Sequence, residues 1–500
     1  MKNTKNKMGF IKIAGFFVSL VLCANVICAC NNGDSPGNPG NPEAELPDAP
    51  GGGTSETAQE PGLDIPVADM GGKEITLALL NWHLYEPLSI HDIEVEELTG
   101  DGFNDAAYNR NKYMEETFNC QVNTVAFPTQ DSIPKIRNQI TAGDDAYDII
   151  FFRAITMLPL LTGGYLHDFG KIPYVDLDKP WWDKKSIEAM SIGGKVYSAL
   201  GDYSMTVLSC VWLTYFNKEM LADFGLDDPY RLVREGKWTF DTMYDMGKTV
   251  AADLNGNGKR DMEDRYGFMH IDNTAAALFN GFGERLVDIG DDGLPYISLA
   301  NPSAIEKFLH ITEVLSDYDT FLNAHRRTPD AYTHEAGMFV WGRSLFSLGG
   351  VYYGPEMRAM EQNFGLLPYP KFNESQEWFN PIHSAAIPLV TVPITNGDFE
   401  NMGLFIEAFT YQGHVGIRPQ FYDVMLQRKV ARDDESEEML DFIFNNKVFD
   451  IGETYNFGDI YGQFNNLVCS GNINLASWLD KNTVKIERDI EAFVEAMKGN

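Results

Sequence analysis

Positive charge is scarce in this 500-residue chain: 39 Lys and Arg stand against 72 Asp and Glu, a formal net charge of −33. Such a surface repels phosphate backbones and anionic headgroups, which excludes nucleic acid as a partner. Cysteine is scarce too, with six residues in all. Cys120, Cys210 and Cys469 lie far apart at no metal-like spacing and read as buried thiols rather than a disulfide framework, although one disulfide among them stays open. His270, His310, His325, His334, His383 and His414 show no zinc-like spacing, and no nucleophile elbow occurs. No repeat of solenoid length is present, and no stretch after residue 30 is apolar enough to span a bilayer.

The first thirty residues set the compartment. Lys2, Lys5, Lys7 and Lys12 precede an apolar run from Ile13 to Ile27, and the run ends in Ile27-Cys28-Ala29-Cys30. A basic start, an apolar middle and small residues before a cysteine make a lipoprotein signal over 1–29, with Cys30 as the lipidated new N-terminus. Its removal takes away four lysines and moves the formal charge from −33 to about −37. Residues 30–65 are rich in Pro and Gly and nearly free of large apolar side chains, so they read as a tether. The expected location is the extracytoplasmic face of a cell membrane, held by the lipid.

The body that follows exceeds one ordinary hydrophobic core, so two lobes are expected. Ile75–Leu80, Cys120–Phe127 and Asp148–Phe152 read as strands, and helical spacing of Ala107, Met114 and Phe118, then of Ile133, Ile136 and Ile140, places helices between them. This β-α-β-α-β alternation predicts a doubly wound α/β lobe. Further helices are expected after Thr239, from Pro302, over 398–412 and 435–446, and at the chain end, with Ile486, Ile490, Phe493 and Met497 on one face. Residues 193–203 and 364–371 join short apolar segments to Gly and Pro breaks and read as passages between lobes.

Asp148-Ile-Ile-Phe-Phe, Leu161-Thr-Gly-Gly-Tyr-Leu-His-Asp-Phe169, Gly193-Gly-Lys-Val-Tyr197, Tyr215-Phe-Asn-Lys218, Trp238-Thr-Phe-Asp241 and Phe364-Gly-Leu-Leu-Pro-Tyr-Pro370 occur in that order. With the lipobox, this series resembles the extracellular solute-binding protein family 1, the maltose-binding-protein-like capture components of ABC importers. The resemblance implies a two-lobed periplasmic-binding-protein-like fold (type II), each lobe a doubly wound mixed sheet, joined by hinge crossovers. It implies binding of a sugar or oligosaccharide without catalysis, permease subunits as partners, and a monomer. The expected division is 66–202 with 372–415 for the first lobe and 203–371 with 416–500 for the second. A surface glycoside hydrolase or a calcium-dependent adhesion lipoprotein is the alternative, but no carboxylate pair stands out and no repeated module appears.

Two sets of residues carry the expected chemistry. Ligands in open α/β folds bind beyond the carboxyl ends of strands, which selects Asn81, Trp82 and His83 after the first strand and Phe152 and Arg153 after the third. Asp202 and Tyr203 lie at the first passage, and Tyr352 and Tyr353 follow a Gly-Gly break where the family places an aromatic platform. Sugar C–H faces pack on such rings while the hydroxyls take polar partners. The second set is the loop 253–264. Asp253, Asn255, Asn257, Asp261 and Asp264 fall at loop positions 1, 3, 5, 9 and 12, Gly258 falls at 6 and the Lys259 carbonyl at 7. That spacing suits one structural Ca²⁺, with Asp in place of the usual Glu at the last position.

Overall fold

The computed structural model describes residues 62–80, 90, 92–127, 133–327, 336–422 and 433–499. Cys30, Asn81, Trp82 and His83 therefore lie outside the described residues.

The first sheet grows from local alternation. β1 (Lys73–Leu80) pairs in parallel with β2 (Cys120–Phe127) and β3 (Ile149–Arg153). Successive side chains of a strand face opposite sides. Ile75, Leu77 and Leu79 enter one apolar cluster, while Ala78 and Leu80 enter another. Burial on both faces is why these strands read as near-continuous apolar runs. α1 (Gly102–Phe118) connects β1 to β2. Asp101 caps its start by accepting the Phe103 and Asn104 N–H groups, and Asn119, in the left-handed conformation, ends it. α2 (Ile133–Thr141) buries Ile133, Ile136 and Ile140, as their spacing predicts.

The chain then builds a second sheet from β4 (Trp212–Asn217), β5 (Tyr266–His270), β6 (Phe321–Asn323), β7 (Ser344–Gly350) and β8 (Phe364–Leu367), in the order β8-β4-β7-β5-β6. β5 runs parallel to β6 and β7; β4 runs antiparallel to β7 and β8. Within this half lie α3 (Phe240–Val250), capped by Thr239, and α4 (Thr274–Gly281). β9 (Pro388–Thr391) then returns to the first sheet antiparallel to β3, completing the order β9-β3-β1-β2. α5 (Phe399–Gln412), α6 (Asp434–Asn445), α7 (Ile460–Cys469) and α8 (Leu475–Gly499) complete the set.

Two mixed sheets with covering helices are the expected α/β architecture. Residues 364–371 differ from expectation, because Phe364–Leu367 is an edge strand of the second sheet. The return to the first sheet comes later, between Tyr369 and β9. Cys120, Cys210 and Cys469 are buried free thiols. Among the described residues no helix is long and apolar enough to cross a membrane.

Candidate functional site

Parallel strands deliver their carboxyl ends to one edge, and in both sheets that edge carries the polar and aromatic side chains of interest. β3 ends at Arg153, which is buried. β4 opens on Trp212, whose ring lies 5.5 Å from the His383 ring and 6.2 Å from Tyr352. His383 is fixed by its own backbone, whose N–H donates to the Cys210 carbonyl at 2.8 Å. Tyr461 of α7 places its hydroxyl 3.2 Å from His383 Nε2, and Asn273, just before α4, points its amide nitrogen at the same atom from 3.4 Å. Arg153, Trp212, Asn273, Tyr352, His383 and Tyr461 thus form one junction fed by both sheets.

Burial controls the protonation states there. It lowers the Arg153 guanidinium to about 10. It also takes His383 down to about 3, with the Arg153 cation adding to the effect. The imidazole is therefore neutral, with one donor and one acceptor nitrogen. Nε2 meets the Asn273 amide and the Tyr461 hydroxyl, whereas Nδ1 has no hydrogen-bond partner among the described residues although His383 is only 3% exposed. A buried polar atom left unpaired costs about 1–3 kcal/mol.

Other expected residues have different surroundings. Phe152 is a core side chain of β3, fully buried. Tyr203 donates its hydroxyl to the Pro388 carbonyl at 2.6 Å and so staples the first passage to β9. Tyr353 lies beside Tyr215 with the rings 6.5 Å apart. Asp202 accepts from His414 Nδ1 at 2.6 Å and from Arg418 Nη1 at 2.9 Å. His414 belongs to a π-helical turn, Gly413–Ile417, that continues α5. A Cβ on Gly413 would stand 1.9 Å from the Asp202 carbonyl oxygen, so only glycine lets this turn approach so closely. Trp181 and Trp182 are buried and donate their indole N–H groups to Glu407 of α5, each at 3.0 Å.

Trp212, Asn273, His383 and Tyr461 are the residues that sequence reasoning did not assign to the site. No local motif joins them; only the position of Trp212 at the head of a strand carried a signal.

The loop 253–264 follows α3. Asp253 accepts the Gly256 and Gly258 N–H groups at 2.7 and 2.8 Å, Asn255 accepts from Asn257 at 3.0 Å, and Asn257 from Lys259 at 2.7 Å. Asp261 accepts from Glu263 at 2.8 Å. Asp264, fully buried, accepts from Leu254 and Asp261, both at 2.9 Å. The Asn255 and Asn257 amide nitrogens face the Asp261 carboxylate. Each side-chain oxygen engages one or two N–H groups, and its carboxylate or amide retains lone pairs for a cation. Three carboxylates, two amides and the Lys259 carbonyl are all oxygen donors, the ligand type a hard cation such as Ca²⁺ takes. Among the described residues no group of three or more His, Cys, Asp or Glu side chains gathers as a ligand set, so the Asp253, Asp261 and Asp264 carboxylates do not converge on one point in this structure.

The family described as bacterial extracellular solute-binding protein matches residues 97–303. The resemblance read from the sequence stands. No curated protein sequence matches the chain. Among solved structures, the fold is shared with an ABC transporter solute-binding protein from Thermotoga lettingae bound with α-D-tagatose. The two are 12% identical with a TM-score of 0.54, over 84% of this chain and all of the other. A sugar transporter protein from Rhizobium etli in an open conformation is 16% identical, with a TM-score of 0.53 over 85% and 99% of the two chains. An ABC substrate-binding protein from Listeria monocytogenes in complex with cycloalternan is 13% identical, with a TM-score of 0.51 over 85% and 98%. At these identities the shared feature is the two-lobed solute-binding fold.

Proposed function

We propose that this protein is the lipid-anchored capture component of an ABC importer and that it binds a sugar or oligosaccharide at the junction of its two sheets. The observation that carries the reading is the junction itself. Trp212 and Tyr352 offer aromatic faces for sugar C–H groups, and Arg153, Asn273, His383 and Tyr461 surround them with hydrogen-bonding groups. The unpaired His383 Nδ1 supplies a polar atom that a sugar hydroxyl, as donor or acceptor, can satisfy. Cys30 is the anchor, permease subunits are the partners that receive the ligand, and the chain acts as a monomer without catalysis. Sugars bound in proteins of the same fold support this choice of ligand class.

A sugar panel screened by thermal shift tests the proposal, because a ligand that binds only the native state raises its melting temperature. At least one sugar should stabilise the protein, and Trp212→Ala should weaken that sugar by about 1–3 kcal/mol through lost ring contact. Stabilisation by peptides or amino acids alone would remove the carbohydrate reading, and turnover of a bound oligosaccharide would remove the non-enzymatic one.

The loop 253–264 is assigned one Ca²⁺ on its oxygen donor set. Asp253, Asn255, Asn257, Asp261 and Asp264 would hold it with the Lys259 carbonyl. The ion would tie the end of α3 to the start of β5, a structural role apart from ligand capture.

A further inference from the structure

The loop 253–264 carries a covalent weakness that its own hydrogen bonds oppose. Asn255-Gly256 and Asn257-Gly258 stand in tandem, all four residues are exposed, and both glycines adopt the left-handed conformation, with φ of 70° and 71°. Asn followed by Gly is the pair most open to deamidation, because no Cβ shields the next backbone nitrogen from the side-chain carbonyl carbon. The Gly258 nitrogen gives its proton to solvent and bonds to Asn257 Cγ. The Cγ–Nδ2 bond then breaks, and the nitrogen leaves as ammonia with a proton taken from water. A water molecule next opens the cyclic imide at either carbonyl, which leaves aspartate or its β-linked isomer. Gly256 stands in the same relation to Asn255. Among the described residues the other two Asn-Gly pairs are closed to this chemistry. Asn280 and Asn396 are each 1% exposed. Asn280 lies within α4, and Asn396 donates to Asp148 at 2.9 Å while accepting the Asp398 N–H at 2.8 Å.

In the loop the two attacking nitrogens share one guard. Asp253 Oδ1 accepts the Gly256 N–H at 2.7 Å, and Oδ2 accepts the Gly258 N–H at 2.8 Å. Each nitrogen must lose that proton before it attacks, and a carboxylate held against it disfavours a second negative charge there. The side chains under attack are pinned as well. Asn257 Oδ1 accepts the Lys259 N–H at 2.7 Å while Nδ2 donates to Asp261 at 2.8 Å, and Asn255 Oδ1 accepts the Asn257 N–H at 3.0 Å. The base of the loop is closed separately, by the paired Ala252 and Arg265 backbones at 2.9 and 3.0 Å. Local opening of the loop therefore leaves the body folded.

We propose that Asn255 and Asn257 are deamidation sites and that Asp253 holds them latent while the loop is closed. Modification then records the time the loop has spent open. Each event adds one negative charge to a segment that already holds Asp253, Asp261, Glu263 and Asp264, and the β-linked product lengthens its backbone. Neither sugar binding nor a cation enters this chemistry.

The test is peptide mass spectrometry of the full chain aged in mildly alkaline buffer with chelator, beside its Asp253→Ala and Asp253→Asn variants and urea-unfolded wild type. The unfolded chain should deamidate fastest at both loop positions. Folded wild type should lag it by about tenfold or more, the scale of one N–H bond to a charged acceptor. Asp253→Ala should recover most of that difference, and Asp253→Asn, with one acceptor oxygen in place of two, should fall between. The Asn280 and Asn396 peptides are the control, because their rates rise only when the whole fold is lost. Equal loop rates in folded and unfolded wild type, a comparison that needs no variant, would overturn the guard. So would variants that age no faster than wild type while Asn280 and Asn396 stay intact. A loop left unmodified even in urea would remove the site altogether.

Discussion

Glu407 shows how a single buried side chain sets a pH response. Its carboxylate accepts the indole N–H of Trp181 and Trp182 at 3.0 Å and the Asp176 N–H at 3.3 Å. Three donors favour the ionised form, but burial outweighs them and pushes the group up to about 7 from an ordinary value of 4.5. The native state therefore holds this proton more tightly than the unfolded chain does. The associated stability is fully present below pH 4.5 and is lost as pH rises through about 7, up to about 3 kcal/mol. Urea unfolding of wild type and Glu407→Gln at pH 5 and pH 8 should show a larger fall for wild type. Equal falls would mean that Glu407 titrates at its ordinary value. Trp181 and Trp182 are packed on an acid partner distant in the chain, a pairing that no local pattern in the sequence signals. The same distance hid His383 and Tyr461, which acquire meaning only where they meet Arg153 and Trp212. Arg153 was legible because it stands at the carboxyl end of a strand, and Tyr352 because the family resemblance puts an aromatic platform after the Gly349-Gly350 break.

Among the elements, legibility followed burial. β1, β2 and β3 announce themselves through apolar runs or alternation, α1 through the helical spacing of Ala107, Met114 and Phe118, and the α3 start through its Thr cap. β6 has three residues and β8 four, too short for periodicity to distinguish from a connection. The loop 253–264 was the most legible feature outside the strands because its spacing is itself the chemistry. If it holds calcium, chelation should lower the melting temperature by a few degrees with little change in sugar selectivity. Asp253→Ala should start at that lower temperature and respond no further to chelator. Calorimetry on metal-free protein that registers no heat with millimolar calcium would reduce the loop to an acidic turn.

For the whole molecule, the anchor is the feature with the plainest readout. Cys30→Ala should block lipid addition, shift the protein from the membrane fraction to the medium or soluble fraction, and leave sugar affinity within about twofold because the junction lies elsewhere in the chain. Intact-mass analysis of the wild type showing an unmodified N-terminus would overturn the anchor. The connectivity of the first sheet also bears on how the chain comes into being. β9 is the outer neighbour of β3, yet it is synthesised after the entire second sheet. Until a ribosome has delivered Thr391, the Ile149–Arg153 backbone presents an open strand edge, the kind of surface that recruits neighbouring nascent chains. Tyr197 and Lys195 wait longer still, since their carbonyl partners, Ala496 and Lys498, lie at the far end of α8. A growing chain of this topology lacks these cross-ties until translation is nearly over.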